Sequence, residues 1–252
     1  MGRLEGKVIL ITGAAAGLGR EYAIRLAGEG ASLALADIND CSATTSRCTA
    51  LGAEALSLSV DVSNETQTKE MARKTHDHFG RIDGLLNNAG LMRALAVKSL
   101  LDVDMDTWDR VYAVNARGTF LGIRAVYPYM REKGGGTIIN VGSGSTLRIA
   151  RAVDSLNPHY TSSKAAVANI TRAVARELGA NNINVVTIAP GSTTSDRDQA
   201  LAIDEAFPEP DAALQRRGVP EDITGVVAFL FSDDAHFISG QMIVINGGRE
   251  VY

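Results

Sequence analysis

The chain has 252 residues, 45% of them hydrophobic and 21% charged, with 25 glycines that follow no three-residue period. This composition excludes a disordered chain and a collagen, and the length suits one large α/β core. A formal net charge of −4 without a basic stripe argues against a nucleic-acid partner.

No run of residues reaches the roughly 18–20 apolar positions needed to cross a bilayer. Met1–Gly6 shows no apolar leader, so the expectation is a cytoplasmic protein with no membrane partner. Cys41 and Cys48 cannot form a disulfide framework, and His76, His78, His159 and His236 are scattered, so no metal site is expected.

The elements alternate along the chain. Residues 7–12 form a continuous apolar run ending in glycines, as a buried parallel strand does. A helix is expected at 18–29, a strand at 31–36, a helix at 42–51 and a strand at 55–60. Then come a helix at 65–79, a strand at 82–87 and one long helix from 107 to about 130. Strands at 137–141, 184–188 and 242–245 and helices at 160–178 and 221–231 complete the pattern. Such alternation predicts a single doubly wound Rossmann-type domain over 1–252, with a mostly or wholly parallel seven-stranded sheet covered by helices on both faces.

Thr12-Gly13-Ala14-Ala15-Ala16-Gly17-Leu18-Gly19 joins the first strand to the first helix. Glycines let the backbone turn tightly and approach a pyrophosphate, which the helix N-terminus then attracts. Gly13, Ala16, Gly17, Leu18 and Gly19 are therefore candidate dinucleotide-binding residues. Asp37 stands 18 residues beyond Gly19, where a carboxylate can accept from both ribose hydroxyls and repel a 2′-phosphate. Ile38 follows it, with no arginine to favour NADP. The charge pattern favours NAD.

Tyr160 and Lys164 lie four apart on a predicted helix and so share one face. A nearby ammonium stabilises a phenolate, so the expectation is a Tyr160 pKa below the ordinary value near 10. His159 is expected on a pocket wall or the surface, because adjacent helical positions diverge by about 100°. Trp108 is expected to pack between helices.

Over essentially its whole length the sequence resembles the short-chain dehydrogenase/reductase family. The matching pieces are Thr12–Gly19, Asp37, Asp61-Val62, Asn87-Asn88-Ala89-Gly90, Asn115, Ser143, Tyr160 with Lys164, and Pro190-Gly191. The resemblance implies hydride transfer between a nicotinamide and a carbonyl or hydroxyl carbon. It implies that Tyr160 exchanges the proton, that Ser143 holds the substrate oxygen, and that Lys164 binds the nicotinamide ribose. Asn115 would hold a relay water near Lys164. Asp61 and Val62 would contact the adenine, and Asn88, Ala89 and Gly90 would floor the nucleotide site. Pro190, Gly191, Thr193 and Ser195 would lie beside the carboxamide. It also implies a homotetramer, in which the long helices around Asn115 and Lys164 meet a partner.

Two departures concern the substrate side. Ser143 and Tyr160 are 17 apart, which implies extra residues within 145–158, and Ser145 competes for the serine role as a substrate contact. Residues 192–218 suggest a lid. The expected substrate is a small secondary alcohol or ketone of largely apolar character. A 3-oxoacyl-thioester reductase of the same family is the alternative, against which Asp37 speaks. The intact Ser143, Tyr160 and Lys164 set disfavours a non-catalytic NAD-binding regulator.

Overall fold

A computed structural model describes residues 2–92, 97, 99–147, 157–194 and 212–249. Its strands are β1 (Val8–Thr12), β2 (Ser32–Asp37), β3 (Ala55–Ser59), β4 (Gly84–Asn87), β5 (Gly136–Val141), β6 (Ile183–Pro190) and β7 (Met242–Ile245). They form one seven-stranded sheet in the order β3-β2-β1-β4-β5-β6-β7, and every neighbouring pair is parallel.

Successive side chains of a strand point to opposite faces, so this sheet builds two cores. Ile9 and Ile11 of β1 pack on one face with α1 (Gly17–Gly28) and the later helix Glu221–Phe231. Leu10 turns to the other face, against α3 (Glu65–Phe79) and the helices that follow. Between them α2 (Ser42–Ala50) runs from β2 to β3. Covering both faces explains why the strands read as unbroken apolar runs.

Local signals set the ends of α3. The Asn64 side chain accepts from the Gln67 N–H at 3.1 Å, and Gly80 closes the helix in a left-handed conformation at φ 75°. The helix expected from 107 to about 130 is interrupted. The chain runs through α4 (Met105–Tyr112), a π turn at Ala113–Arg117, and α5 (Gly118–Lys133). A π turn adds a residue to one helical turn without breaking the apolar stripe, so periodicity does not reveal it. The long helix near the catalytic pair is α6 (Pro158–Gly179), which starts two residues earlier than expected, with proline in its first turn. The helix Glu221–Phe231 is α7.

Candidate active site

In a doubly wound sheet the ligand sits beyond the carboxyl ends of the strands. Every element of the site leaves that edge. The loop between β1 and α1 needs its glycines for different reasons. Gly13 has φ 69°, and a Cβ there would lie 2.8 Å from the Ala89 Cα. Gly17 has φ 58°, and a Cβ on Gly19 would stand 1.9 Å from the Gly13 carbonyl oxygen. Asn88 welds this loop to the next one, its Nδ2 donating to the Thr12 and Gly13 carbonyls at 3.1 and 3.0 Å. The Asn88 and Ala89 N–H groups donate to Thr12 Oγ1, both at 3.1 Å. Ala16 is the N-cap of α1 and makes no side-chain cap, and the positive end of the helix dipole lies at Gly17, Leu18 and Gly19.

Asp37 closes β2 at the mouth of that loop. Its Oδ2 accepts the Ala15 N–H at 3.1 Å, while Oδ1 accepts the Asn39 N–H and side-chain amide at 2.9 and 3.1 Å. The carboxylate is therefore held in place beside the glycines. Ile38 is 65% exposed beside it. Asp61 Oδ1 accepts from the Ser63 N–H and hydroxyl at 2.9 and 2.7 Å. Val62 is buried, and α5 approaches it at a glycine, because a Cβ on Gly118 would lie 3.0 Å from the Val62 side chain.

Tyr160 and Lys164 lie one turn apart on α6, both buried, and Ser143 follows β5. The Lys164 Nζ donates to the Val141 carbonyl at 2.7 Å. Gly90 stands beside that ammonium. A Cβ there would be 3.3 Å from both Lys164 Nζ and Asn115 Oδ1. Burial lowers the Lys164 pKa to about 8. The lowered Tyr160 pKa expected from the neighbouring lysine is not what the structure shows. Burial pushes the phenol above its ordinary value, and a hydrogen bond with Ser143 only partly offsets that push. The physical reason is burial of the phenol itself, which penalises its charged form.

Asn115 lies in the π turn and is fully buried. Its Nδ2 donates to the Leu91 carbonyl and to Ser163 Oγ, both at 3.0 Å, and its Oδ1 accepts the Leu91 N–H at 2.8 Å. Ser163 in turn donates to the Tyr160 carbonyl at 2.7 Å. The amide thus clamps the segment after Gly90 to the first turns of the Tyr160 helix. π turns recur where a helix must aim a functional group.

A buried polar row was not anticipated from the sequence. Asn87 Nδ2 donates to Asn140 Oδ1 at 2.9 Å, Asn140 Nδ2 to Thr171 Oγ1 at 2.9 Å, and Thr171 meets Thr187 at 2.7 Å. The signal for it was polar residues within otherwise apolar strands. His159 is buried rather than at the surface, its ring centroid 6.3 Å from Trp108, which stacks on Tyr112 at 5.3 Å. Burial lowers the His159 pKa, so it is a neutral wall.

On the substrate side, Ser145 Oγ lies 2.9 Å from Ser143 Oγ, and the Ser145 N–H donates to Ser143 Oγ at 3.2 Å. Pro190 ends β6, and Gly191 passes so close to Asn246 that a Cβ would lie 2.8 Å from its Cα. Thr193 bridges to Gly218, joining the two stems of the expected lid. Below them Arg216 grips Asp222 at 2.6 and 2.7 Å. Ser195, with the rest of 195–211, lies outside the described residues, as does 148–156 of the expected insertion. Among the described residues no group of three or more His, Cys, Asp or Glu could hold a metal.

A sequence family described as enoyl-(acyl carrier protein) reductase matches residues 13–250. A short-chain dehydrogenase from Mycobacterium paratuberculosis, solved bound to NAD, superposes with a TM-score of 0.88 at 29% identity, covering 98% of this chain and 99% of its own. The chain belongs to the short-chain dehydrogenase/reductase family. It is 37% identical to (2S)-[(R)-hydroxy(phenyl)methyl]succinyl-CoA dehydrogenase subunit BbsD of Thauera aromatica, over 99% of this chain and 98% of the relative. It is 35% identical to levodione reductase of Leifsonia aquatica, over 98% and 95% of the two chains. A short-chain dehydrogenase/reductase uses a nicotinamide cofactor, and the residues present fit one. The glycines let the loop after β1 pack tightly against Asn88 and Ala89, directly before the N-terminus of α1.

Proposed function

We propose that this short-chain dehydrogenase/reductase transfers a hydride between NAD(H) and a secondary alcohol or ketone of modest size and largely apolar character. One observation carries the proposal: buried Tyr160 and Lys164 and partly buried Ser143 converge at the carboxyl edge of the sheet, beside Gly90 and the glycine loop. When bound, the nicotinamide supplies the hydride-accepting or hydride-donating carbon.

In oxidation Tyr160, as phenolate, takes the alcohol's hydroxyl proton, and in reduction it gives a proton to the ketone oxygen. Ser143 holds that oxygen beside the phenol. Lys164 would bond the nicotinamide ribose, while Asn115 ties the segment after Gly90 to the Tyr160 helix. Asp37, with Ile38, receives the adenosine ribose and selects NAD by charge. Asp61 and Val62 contact the adenine, while Pro190, Gly191, Thr193 and Ser195 flank the carboxamide. Leu91 and Val111 pack around Tyr160, which supports an apolar substrate.

A 3-oxoacyl thioester is the second reading. It is favoured by the acyl-carrier description of the matching family and by the CoA thioester in the name of the Thauera relative. The proposed unit is one catalytic domain, 1–252, working as a cytoplasmic homotetramer, with the helix bearing Ala165, Ala166, Ala168, Ala173 and Ala175 meeting a partner and the final strand as a second contact. Among the described residues no helix is long and apolar enough to cross a membrane. The test is absorbance at 340 nm with NAD or NADP against secondary alcohols, ketones and acyl thioesters. NAD-linked turnover of an alcohol supports the first reading, thioester turnover the second, and turnover of neither class overturns both. Light scattering at the monomer mass would refute the oligomer.

A further inference from the structure

We propose that Ser145 is a positioning residue that makes Ser143 an obligate hydrogen-bond donor toward the Tyr160 oxygen and the substrate oxygen. This deepens the oxidoreductase reading above and rests on it.

A serine hydroxyl has one proton to give and two lone pairs to receive. The Ser145 N–H, 3.2 Å from Ser143 Oγ, occupies one lone pair. The Ser145 hydroxyl, 2.9 Å away, can occupy the other. When it does, Ser143 can accept nothing more, and its own proton must point outward. The geometry is local and robust. Ser145 sits in the short 3-10 turn Gly144–Leu147 directly after the strand end, and Thr146 anchors that turn by donating from Oγ1 to the Ser143 carbonyl at 2.9 Å.

The direction matters because both halves of the reaction need the same polarity. A ketone oxygen gaining a proton from Tyr160, or an alcohol oxygen losing one to it, carries developing negative charge. Ser143 stabilises that charge only as a donor. A Ser143 with a vacant lone pair would instead accept from the neutral phenol or from the alcohol. That arrangement ties up the proton that must move. Ser145 removes the unproductive choice, and no proton or electron leaves the pair in the process. In the same orientation Ser143 donates to the phenolate, so the loss of Ser145's hydroxyl should disfavour the phenolate.

Among the described residues, His159 and Lys164 share the Tyr160 helix, and Tyr112 adjoins Val111, which packs with Tyr160. None of them differs between the proteins compared, all of which carry the same label. Protein labelled with 3-fluorotyrosine is titrated by fluorine NMR with saturating NAD, the Tyr160 signal being assigned by its loss in Tyr160→Phe. Ser145→Ala should raise the Tyr160 pKa by about 0.5–1, whereas Ser145→Thr, which keeps a hydroxyl, should stay within about 0.2 of the unmodified protein. Turnover of 1-phenylethanol with NAD should fall about 5–20-fold in Ser145→Ala with KM nearly unchanged, and recover in Ser145→Thr. Ser145→Gly lacks the same hydroxyl and replaces the alanine variant should that fail to fold. An unshifted Tyr160 titration in the hydroxyl-free variant overturns the proposal, and so does an equal shift in Ser145→Thr. The fluorine titration does not depend on turnover. An unmodified protein that turns over no alcohol or ketone, or a Tyr160→Phe variant that keeps its activity, defeats the functional reading instead.

Discussion

The two edges of the sheet bury charge in opposite ways. At the amino edge, Asp83 is only 9% exposed, yet every demand of its carboxylate is met. It accepts from the Val8 N–H at 2.9 Å, from two Arg81 nitrogens at 2.7 Å each, and from Lys133 at 2.9 Å. Burial pushes its pKa up, but Arg81, the Val8 amide and Lys133 together outweigh burial and hold the carboxyl below its usual range. At the carboxyl edge, Lys164 is as deeply buried, and a single neutral carbonyl receives its charge. There burial wins and lowers its pKa to about 8. One edge is finished as structure. The other is left in electrostatic debt, as sites that must move protons generally are.

That contrast can be broken most severely at Tyr160. Tyr160→Phe should lose at least about 10³-fold in turnover while thermal stability and NAD binding persist, because the phenol proton has no substitute. Steady-state rates beside a calorimetric NAD titration check both halves. At the opposite edge, Asp83→Asn should cost about 2–4 kcal/mol of stability, since it strands two cations around a neutral amide. Activity per folded molecule should be unchanged. A carboxyl with a depressed folded-state pKa contributes stability above its unfolded value near 3.9 and loses it as pH falls through the folded value. Urea midpoints for the two proteins should therefore converge below about pH 4, and a gap that stays constant with pH would dismiss the clamp.

Asp37→Ala sharpens the picture of the cofactor end. The unmodified protein should bind NAD at least about tenfold more tightly than NADP, a difference of about 1.4 kcal/mol, and the variant should narrow that gap. Equal affinities before mutation would reject the charge argument. The smallest expected change in free energy, one of stability, is the most telling for the comparison. Lys164→Met should abolish activity yet raise stability by about 1 kcal/mol at pH 7, because an under-compensated ammonium is replaced by an apolar chain. A lysine whose folded-state pKa is depressed costs most below that value, near 8, and nothing above its unfolded value near 10.4. The advantage of the methionine variant should fade as pH rises between the two. A methionine variant less stable than its parent at pH 7 would mean that the Val141 hydrogen bond outweighs the burial.

The fold was legible because its signals repeat. Unbroken apolar strands, intervening amphipathic helices and a glycine-rich first turn agree with one architecture, and the observed parallel sheet is the expected one. The convergence of Tyr160, Lys164 and Ser143 followed from helix spacing and the family resemblance. What stayed hidden depended on which partner a side chain chooses. Lys164 turning to the Val141 carbonyl, and the burial that raises the Tyr160 pKa, cannot be read from a four-residue interval. The π turn around Asn115 was invisible because one inserted residue leaves the apolar stripe continuous. The buried hydrogen bonds of Asn140 were hidden in the same way, inside a strand.

Asn140 also bears on how the chain finds its fold. In a sheet apolar on both faces, sliding a strand by one or two positions exchanges one hydrophobic residue for another, so patterning alone polices alignment poorly. Asn87, Asn140 and Thr187 occupy one row across β4, β5 and β6, paired Asn87 with Asn140 and Asn140 with Thr187. A slipped β5 would part the Asn140 amide from Asn87 and Thr171 and bury it unpaired, at about 1–3 kcal/mol for each stranded group. The row acts as a proofreading mark for the middle of the sheet, rejecting misaligned pairings that the apolar residues would accept.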